Sequence, residues 1–265
     1  MEYTLLMQNK TLSATFKDHF SDASENYQAH RPHYPEKLFQ YLSEITPTTE
    51  NVWDCATGSG QAAHSLKQHF SQVFATDASQ NQIASATSED GITFSIATAE
   101  NSGLQSNSID LICVAQALHW FDFDAFFLEV DRVLKADGIL AVWSYELLSI
   151  TAEIDQLVNE FYLDVLDGYW SDERTHIENN YLQLNFPYPK MPTQSFNMVC
   201  DWNLFDLMGY FSTWSAVKKY QKNNAVDPLE DLQRKLLSLW SDPQQQRLIQ
   251  WPMNLILCRK PNNNK

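Results

Sequence analysis

The sequence predicts an α/β protein built on an open, mostly parallel β-sheet. Between residues 50 and 145, short apolar runs alternate with segments of helical periodicity, which is the pattern that βαβ units produce. The run 109–115 (IDLICVA) is apolar enough to be covered on both faces, as interior parallel strands are. A glycine-containing turn follows the first run, where such sheets bind ligands.

The predicted elements follow the chain in order. Residues 12–46 are expected to be helical, interrupted by the proline-rich stretch 31–35. Strands are predicted at 51–55, 72–76, 92–96, 109–115 and 139–143, with helices at 61–70, 79–86 and 123–134. In the C-terminal part, helices are predicted at 149–167, 204–211, 214–222 and 229–240, a loop at 186–192, and strands at 194–202 and 253–258. Strand–helix alternation of this kind implies right-handed crossovers.

Composition excludes several classes of protein. The chain has 265 residues, of which 44% are hydrophobic and 13% aromatic, so it can build a large core and is not disordered. A net charge of −15 would repel a phosphate backbone, which excludes nucleic acid as a partner. No leader pattern and no membrane-length apolar stretch is present, so we expect a cytoplasmic protein without a membrane partner. The four cysteines form no CxxC pair, which predicts reduced thiols and no metal site.

The segment DCATGSGQ, directly after the first predicted strand, carries the chemical signal. Gly58 and Gly60 allow the backbone to approach a ligand closely, and the following helix presents its N-terminus there. Asp77 ends the second strand, beside the same crevice, where its carboxylate can accept hydrogen bonds from both hydroxyls of a ribose. The sequence therefore predicts a ligand that contains a nucleoside.

Two kinds of nucleoside ligand fit this turn. The segment GSGQAA matches the G-x-G-x-x-A dinucleotide fingerprint, so an NAD(P)-dependent oxidoreductase is one alternative. Asp54, at the strand end four residues before Gly58, would repel a pyrophosphate but attract an ammonium. S-adenosyl-L-methionine has an ammonium and a ribose but no phosphate, and the pair Asp54 and Asp77 favours it. A catalytically silent module that only binds the cofactor or a partner protein is a further alternative.

Five segments in order resemble a known family: VWDCATGSGQAA, ATDAS, the AE of TAEN, SIDLICVAQALHWFD and EVDRVLKADGILAVW. Over about residues 16–145 the chain resembles the class I S-adenosylmethionine-dependent methyltransferases of type 11. It is especially similar to the trans-aconitate methyltransferase-like proteins, with HWF after the fourth strand and YxxxRPxYP upstream. The resemblance implies a Rossmann-like fold with a seven-stranded, mostly parallel sheet, helices on both faces and a helical cap. It implies one domain over 1–265: a cap (1–48), a cofactor-binding core (49–146) and a C-terminal part that shapes the substrate side (147–265).

The resemblance also implies cofactor contacts at specific positions. Asp54 matches the acidic residue that opens the glycine motif, Gly58 and Gly60 match its later glycines, and Ala56 replaces the first. Asp77 matches the ribose-binding acid. The remaining implied positions are Ala78, Ala99 and Glu100 around the adenine, Gln116 at the methionine end, and Tyr27, Arg31 and Tyr34 in a segment that closes over the cofactor. Where the family often has an Asp for the adenine amino group, this chain has Thr98.

The acceptor side is less defined. His119 is a candidate general base or acceptor-binding residue, although lining of the pocket is the favoured interpretation, and Trp120 and Tyr34 are expected to contact the acceptor. Arg31 is expected to pair with the methionine carboxylate. The expected reaction is methyl transfer to a small molecule, with S-adenosyl-L-homocysteine as product. Family likeness suggests O-methylation of a carboxylate, by a monomer or homodimer.

Overall fold

The computed structural model describes residues 31–262, so the helix expected before residue 31 and the candidate site residue Tyr27 lie outside the described part. Within it, seven strands form one sheet. They are β1 (Asn51–Cys55), β2 (Gln72–Asp77), β3 (Ile92–Ile96), β4 (Ile109–Ala115), β5 (Leu134–Tyr145), β6 (Phe196–Trp202) and β7 (Arg247–Arg259). The α-helices are α1 (Glu36–Ile45), α2 (Gln61–Lys67), α3 (Gln80–Ser85), α4 (Phe123–Val133), α5 (Ala152–Glu160), α6 (Thr175–Glu178), α7 (Leu204–Ser212), α8 (Ser215–Asn224) and α9 (Leu229–Trp240).

The sheet has the strand order β3-β2-β1-β4-β5-β7-β6. Strands β1 to β5 pair in parallel, whereas β7 is antiparallel to both β5 and β6. The order reverses between β1 and β4, which places a crevice at the carboxyl ends of these two strands. The predicted seven-stranded, mostly parallel Rossmann-like sheet is confirmed.

Helices cover both faces of the sheet. On one face, α1 and α2 contribute buried apolar side chains such as Phe39 and Leu66 to a core shared with β1, β4 and β5. On the other face, α4 packs Phe126 and Val130 against the same strands. Each fully buried side chain of this size contributes about 1.5–3 kcal/mol relative to exposure. The sheet is therefore held from both sides, as the apolar composition of β4 indicated.

A third core holds the C-terminal helices together. It is rich in aromatic rings, among them Trp214, Trp240 and Trp251, all buried. The edge-on contact between Trp202 and Trp251, with ring centroids 5.3 Å apart, is typical of such packing. These tryptophans serve the packing of the C-terminal helices.

Two strands extend beyond their predicted limits. β7 begins at Arg247 rather than 253, because its first half pairs with β6 and its second half with β5. β5 begins at Leu134, directly after α4, where a register irregularity opposite Ile109 and Leu111 accommodates the turn-like residues before Gly138. The helix predicted over 149–167 is shorter, since α5 passes into a π-helical turn at Phe161–Val165. No helix within residues 31–262 has the length and apolar character that crossing a bilayer requires.

Candidate active site

A cavity of about 820 Å³ opens at the carboxyl ends of β1, β2, β4 and β5. This volume lies toward the upper end of the range for small-molecule sites. Its wall includes parts of the glycine turn, the ends of the strands and the segment that precedes α1. The cavity is where an open α/β sheet binds its ligand.

The glycine turn leads from β1 into α2. The Thr57 N–H donates to the Thr76 carbonyl, and the Gly60 N–H donates to the Thr57 carbonyl, which fixes the path of the turn. Gly58 has a φ of +58° and lies on the cavity wall. A Cβ atom at Gly58 would have only Gln82 Oε1 within 4 Å, at 3.8 Å. The backbone at Gly58 is therefore open to a ligand, which fits the nucleoside predicted from the sequence.

The structure assigns Gly60 and Ala56 roles that differ from those expected from the sequence. Gly60 does not line the cavity. Its φ is +95° and a Cβ there would be 2.8 Å from the Phe94 ring, so packing and backbone conformation explain this glycine. Ala56 does line the cavity, and its φ of +56° lies in the left-handed region that favours glycine. The turn thus keeps the backbone conformation of a glycine at Ala56 without having one.

Asp77 is held in position at the end of β2. Its carboxylate accepts hydrogen bonds from the Gly58 N–H at 2.9 Å and the Ser79 N–H at 2.8 Å, and it lines the cavity. Two amide donors stabilise the ionised form of a carboxylate. The structure therefore places Asp77 where a ribose-binding acid is expected.

Asp54 lies behind the glycine turn and not on the cavity wall. It is 0% exposed, its Oδ2 accepts from the Thr57 hydroxyl at 2.5 Å, and its Oδ1 has no hydrogen-bond partner within residues 31–262. Burial raises the pKa of Asp54 to about 7, with a further rise from the charge of Asp77, while the Thr57 hydroxyl and the Ala63 backbone lower the pKa in part. The cavity wall includes Thr57 but not Asp54, so this geometry does not place Asp54 for the direct contact with an ammonium expected from the sequence.

Ala78, Ala99 and Glu100, the positions expected around the adenine, all line the cavity, and so does Thr98. Glu100 Oε1 accepts a hydrogen bond from the Asp122 N–H at 3.1 Å. Asp122 itself lines the cavity and caps α4 by accepting from the Ala125 N–H. Asp122 is not among the site residues predicted from the sequence. An Asp directly before an apolar helical segment is an N-cap signal, which could have located it at this edge.

At the other expected end, Gln116 follows β4 with a φ of +56°. Its side-chain Oε1 accepts from the Tyr145 N–H at 3.0 Å, which ties the end of β4 to the end of β5. Tyr145, another wall residue that the sequence analysis missed, accepts a hydrogen bond from the Arg31 guanidinium. Arg31 also lies over the Tyr210 ring at 5.6 Å. Gln116 and Arg31 thus both lie on the wall, next to Tyr145.

Tyr34 also lines the cavity, and its ring meets Trp143 edge-on at 5.6 Å. Two histidines that were not singled out, His33 and His64, line the wall as well. His64 Nδ1 lies 2.6 Å from a carboxylate oxygen of Glu89. Nothing in the local sequence pattern separates these histidines from surface residues.

His119 differs from its expected placement. The short 3₁₀ helix Leu118–Trp120 directs Trp120 into the cavity wall but leaves His119 only 7% exposed and off the wall. His119 Nδ1 is 3.1 Å from the Tyr181 hydroxyl. Burial lowers the pKa of His119 to about 3, and the charges of Arg174 and His176 add to the effect. The structure therefore supports neither pocket lining nor a contact with the acceptor by His119.

The site is that of a nucleoside-binding α/β protein. It has a parallel sheet whose strand order reverses, a glycine turn open to the cavity, and a carboxylate fixed at the end of β2. Comparison with known proteins identifies the class more closely. Residues 53–162 match a family model described as a methyltransferase domain. A Dictyostelium discoideum protein named "Putative methyltransferase" is 32% identical over 252 residues, covering 92% of this chain and 96% of its own.

Two further comparisons agree. The structure of a "Putative Type II Methyltransferase" from Anaeromyxobacter dehalogenans superposes with a TM-score of 0.83 at 34% identity, covering 88% of this chain and 99% of that one. A "Probable S-adenosylmethionine-dependent methyltransferase" of Saccharomyces cerevisiae is 26% identical over 172 residues, covering 60% of this chain and 59% of its own. The chain belongs to the class I S-adenosylmethionine-dependent methyltransferases of type 11. The narrower likeness to trans-aconitate methyltransferases is not confirmed.

Proposed function

We propose that this enzyme transfers the methyl group of S-adenosyl-L-methionine to a small-molecule acceptor bound in the same cavity. The observation that carries this proposal is the continuity of one 820 Å³ space from Gly58 and Asp77 to Tyr34, Tyr145 and Trp120. When bound, the cofactor supplies a sulfonium methyl group that is already electrophilic. The work left to the protein is to align the acceptor with that group and to exclude water.

The residues of the cavity wall divide this work. Asp77 binds the ribose hydroxyls, the Gly58 backbone approaches the cofactor, and Arg31 binds the methionine carboxylate. Gln116 holds the backbone of Tyr145, so that the Tyr145 hydroxyl and the Arg31 guanidinium keep a fixed relation. Ala78, Ala99 and Glu100 surround the adenine. Asp54 acts indirectly, through its hydrogen bond with Thr57, which supports the turn.

A carboxylate acceptor, suggested by family likeness, would need no general base because it is ionised at neutral pH. His119 lies off the cavity wall, and burial lowers its pKa to about 3, which makes the imidazole a weak base; both observations agree with a reaction that uses no histidine base at that position. The charges on the cavity wall, however, oppose the binding of a carboxylate acceptor. Asp77, Glu100, Asp122 and Glu173 all line the cavity, against Arg31 as the one Lys or Arg among the wall residues of the described part. Because Arg31 is assigned to the cofactor, no other Lys or Arg of the described cavity wall is left to bind a carboxylate acceptor.

Calorimetric titration tests the cofactor assignment. We expect micromolar binding of S-adenosyl-L-homocysteine and no binding of NAD(H) or NADP(H), since four carboxylates line the cavity against one Arg and no Lys among the described wall residues, which is unfavourable for a pyrophosphate. Binding of a dinucleotide in place of S-adenosyl-L-homocysteine would support the oxidoreductase alternative and reject the proposal.

A transfer assay with methyl-labelled cofactor tests the reaction. Small amines, phenols and carboxylates are screened, with the Asp77→Asn variant as the control for transfer that depends on this cavity. Label that appears in an acceptor with the unmodified protein and not with Asp77→Asn supports the proposal. Tight cofactor binding without transfer to any class would favour the silent module.

A further inference from the structure

One charged residue on the cavity wall is not explained by the cofactor. Glu173 belongs to the 3₁₀ turn Asp172–Arg174, which packs against the 3₁₀ helix Leu118–Trp120. Each of the two segments contributes side chains to the cavity, Glu173 from the first and Trp120 from the second. A carboxylate and an aromatic ring thus meet the same space from two adjoining segments.

The other three wall carboxylates are each stabilised by backbone amides. Asp77 accepts from two N–H groups, Glu100 accepts from the Asp122 N–H, and Asp122 accepts from the Ala125 N–H. The carboxylate of Glu173, which is exposed, has no hydrogen bond and no ion pair to any residue within 31–262; only its backbone carbonyl accepts a hydrogen bond, from the Thr175 N–H. Its charge is therefore the one on the wall that no protein donor offsets in the described part.

The adjacent cation does not neutralise Glu173. The Arg174 Nε donates to the Tyr162 hydroxyl at 2.5 Å, and the guanidinium lies over the Trp170 ring at 4.2 Å. Its ion pair is with Glu178, at 3.8 Å, one helical turn further along the chain. Arg174 forms no ion pair with Glu173, so within residues 31–262 the exposed Glu173 carboxylate presents to the cavity a negative charge that no Lys or Arg pairs with.

We propose that the methyl acceptor carries a cationic nitrogen, and that Glu173 binds this nitrogen beside the ring of Trp120. A carboxylate attracts an ammonium and repels another carboxylate, and a tryptophan face adds a cation–π attraction. The nitrogen is the group that is recognised, and the methylated atom lies elsewhere on the acceptor or is the same nitrogen after loss of its proton to solvent. This inference rests on the proposed function, because it assigns the acceptor of that same cavity.

Three probes of similar size and different charge test the inference: benzylamine, benzyl alcohol and benzoate. Their dissociation constants are measured by NMR titration against protein saturated with S-adenosyl-L-homocysteine. An exposed ion pair changes affinity by a factor of a few, so we expect benzylamine to bind about threefold tighter than benzyl alcohol, and benzoate to bind weakest. In Glu173→Gln, the preference for benzylamine should disappear, while the affinity for benzyl alcohol should stay within about twofold.

Asp172→Asn is the matched control, since Asp172 lies in the same turn but not on the cavity wall. It removes the same charge and should keep the preference for benzylamine. Benzoate binding as tightly as benzylamine, a preference that survives Glu173→Gln, or a preference that Asp172→Asn removes equally would overturn the inference. Saturation with S-adenosyl-L-homocysteine, measured first in each sample, separates this outcome from failure of the proposed function, which would appear as no cofactor binding at all.

Discussion

Because Ala56 has a left-handed backbone conformation, we expect its replacement by glycine to stabilise the protein, although replacing alanine by glycine usually destabilises one. At a φ of +56°, an alanine Cβ costs about 1–2 kcal/mol relative to a residue without one. Replacement by glycine removes this cost but increases the entropy of the unfolded chain, which offsets about 0.4–1 kcal/mol. The methyl group is only partly buried, so its loss costs about 0.4 kcal/mol, half of the value for full burial. Ala56→Gly should therefore stabilise the protein by about 0.4 kcal/mol.

Urea unfolding of matched variants measures this change. Ala84, an exposed residue of α3 with ordinary helical geometry, provides the control. Ala84→Gly should destabilise the protein by about 1 kcal/mol, which is the normal penalty for glycine in a helix. The two glycine variants should thus differ by roughly 1.4 kcal/mol, with opposite signs. If Ala56→Gly destabilises the protein as much as Ala84→Gly does, the strain assigned to the turn is refuted.

Three further variants test the site. Asp77→Asn should weaken S-adenosyl-L-homocysteine binding roughly 100-fold by calorimetry, because charge-assisted hydrogen bonds contribute about 1.5–3 kcal/mol each. Asp90→Asn, at an exposed position, is the control. Near-normal binding by Asp77→Asn would reject the assignment of Asp77 to the ribose. Because burial raises the pKa of Asp54 to about 7, its contribution to stability is complete below its unfolded pKa of 3.8 and is lost as the pH rises toward 7. Asp54→Asn should remove this part of the pH dependence of thermal unfolding, and an unchanged curve would argue against a proton held by the buried group. His119→Phe leaves the buried Tyr181 hydroxyl without its partner and should lower the free energy of unfolding, measured in urea, by about 1–3 kcal/mol. In the unmodified protein, NMR titration should find the His119 imidazole neutral above about pH 4. A pKa of His119 near 6.5 would show that the imidazole is not desolvated.

Most of the sheet could be predicted because its signals are local. The predominantly apolar run at Ile109–Ala115 and the glycine turn after Cys55 each predict their own structure from a few neighbouring residues. The start of β5 could not be predicted in this way. Asp137 and Gly138 look like a turn, and Asp137 does have a φ of +63°. The strand nevertheless continues through them, because Leu134 and Ile139 on either side pair with β4, and both turn residues exchange backbone hydrogen bonds with Lys260 directly after β7. Tertiary pairing overrode local propensity there.

For the candidate site, too, the residues with local sequence signals could be predicted and those that depend on distant contacts could not. Gly58 was located because the glycine turn directly follows the first predicted strand, and Asp77 because it ends the second; the structure places both on the cavity wall. Burial of His119 depends on Tyr181, which is 62 positions away. The role of Glu173 likewise depends on how its turn packs against Leu118–Trp120. No local pattern reports a contact between segments so far apart in the chain.

The position of β7 determines the order in which the sheet can be completed during synthesis. β6 hydrogen-bonds within the sheet only to β7, which lies between it and β5. After Trp202 leaves the ribosome, the chain must be extended to Met253 before β6 has its whole partner and to Arg259 before β5 has its own. The extension to Arg259 takes roughly 3–11 s at about 5–20 residues per second. During that interval β5 and β6 each expose an unpaired edge, and such edges are where nascent chains aggregate. A nascent chain of this enzyme should therefore depend most on chaperones just before β7 is made.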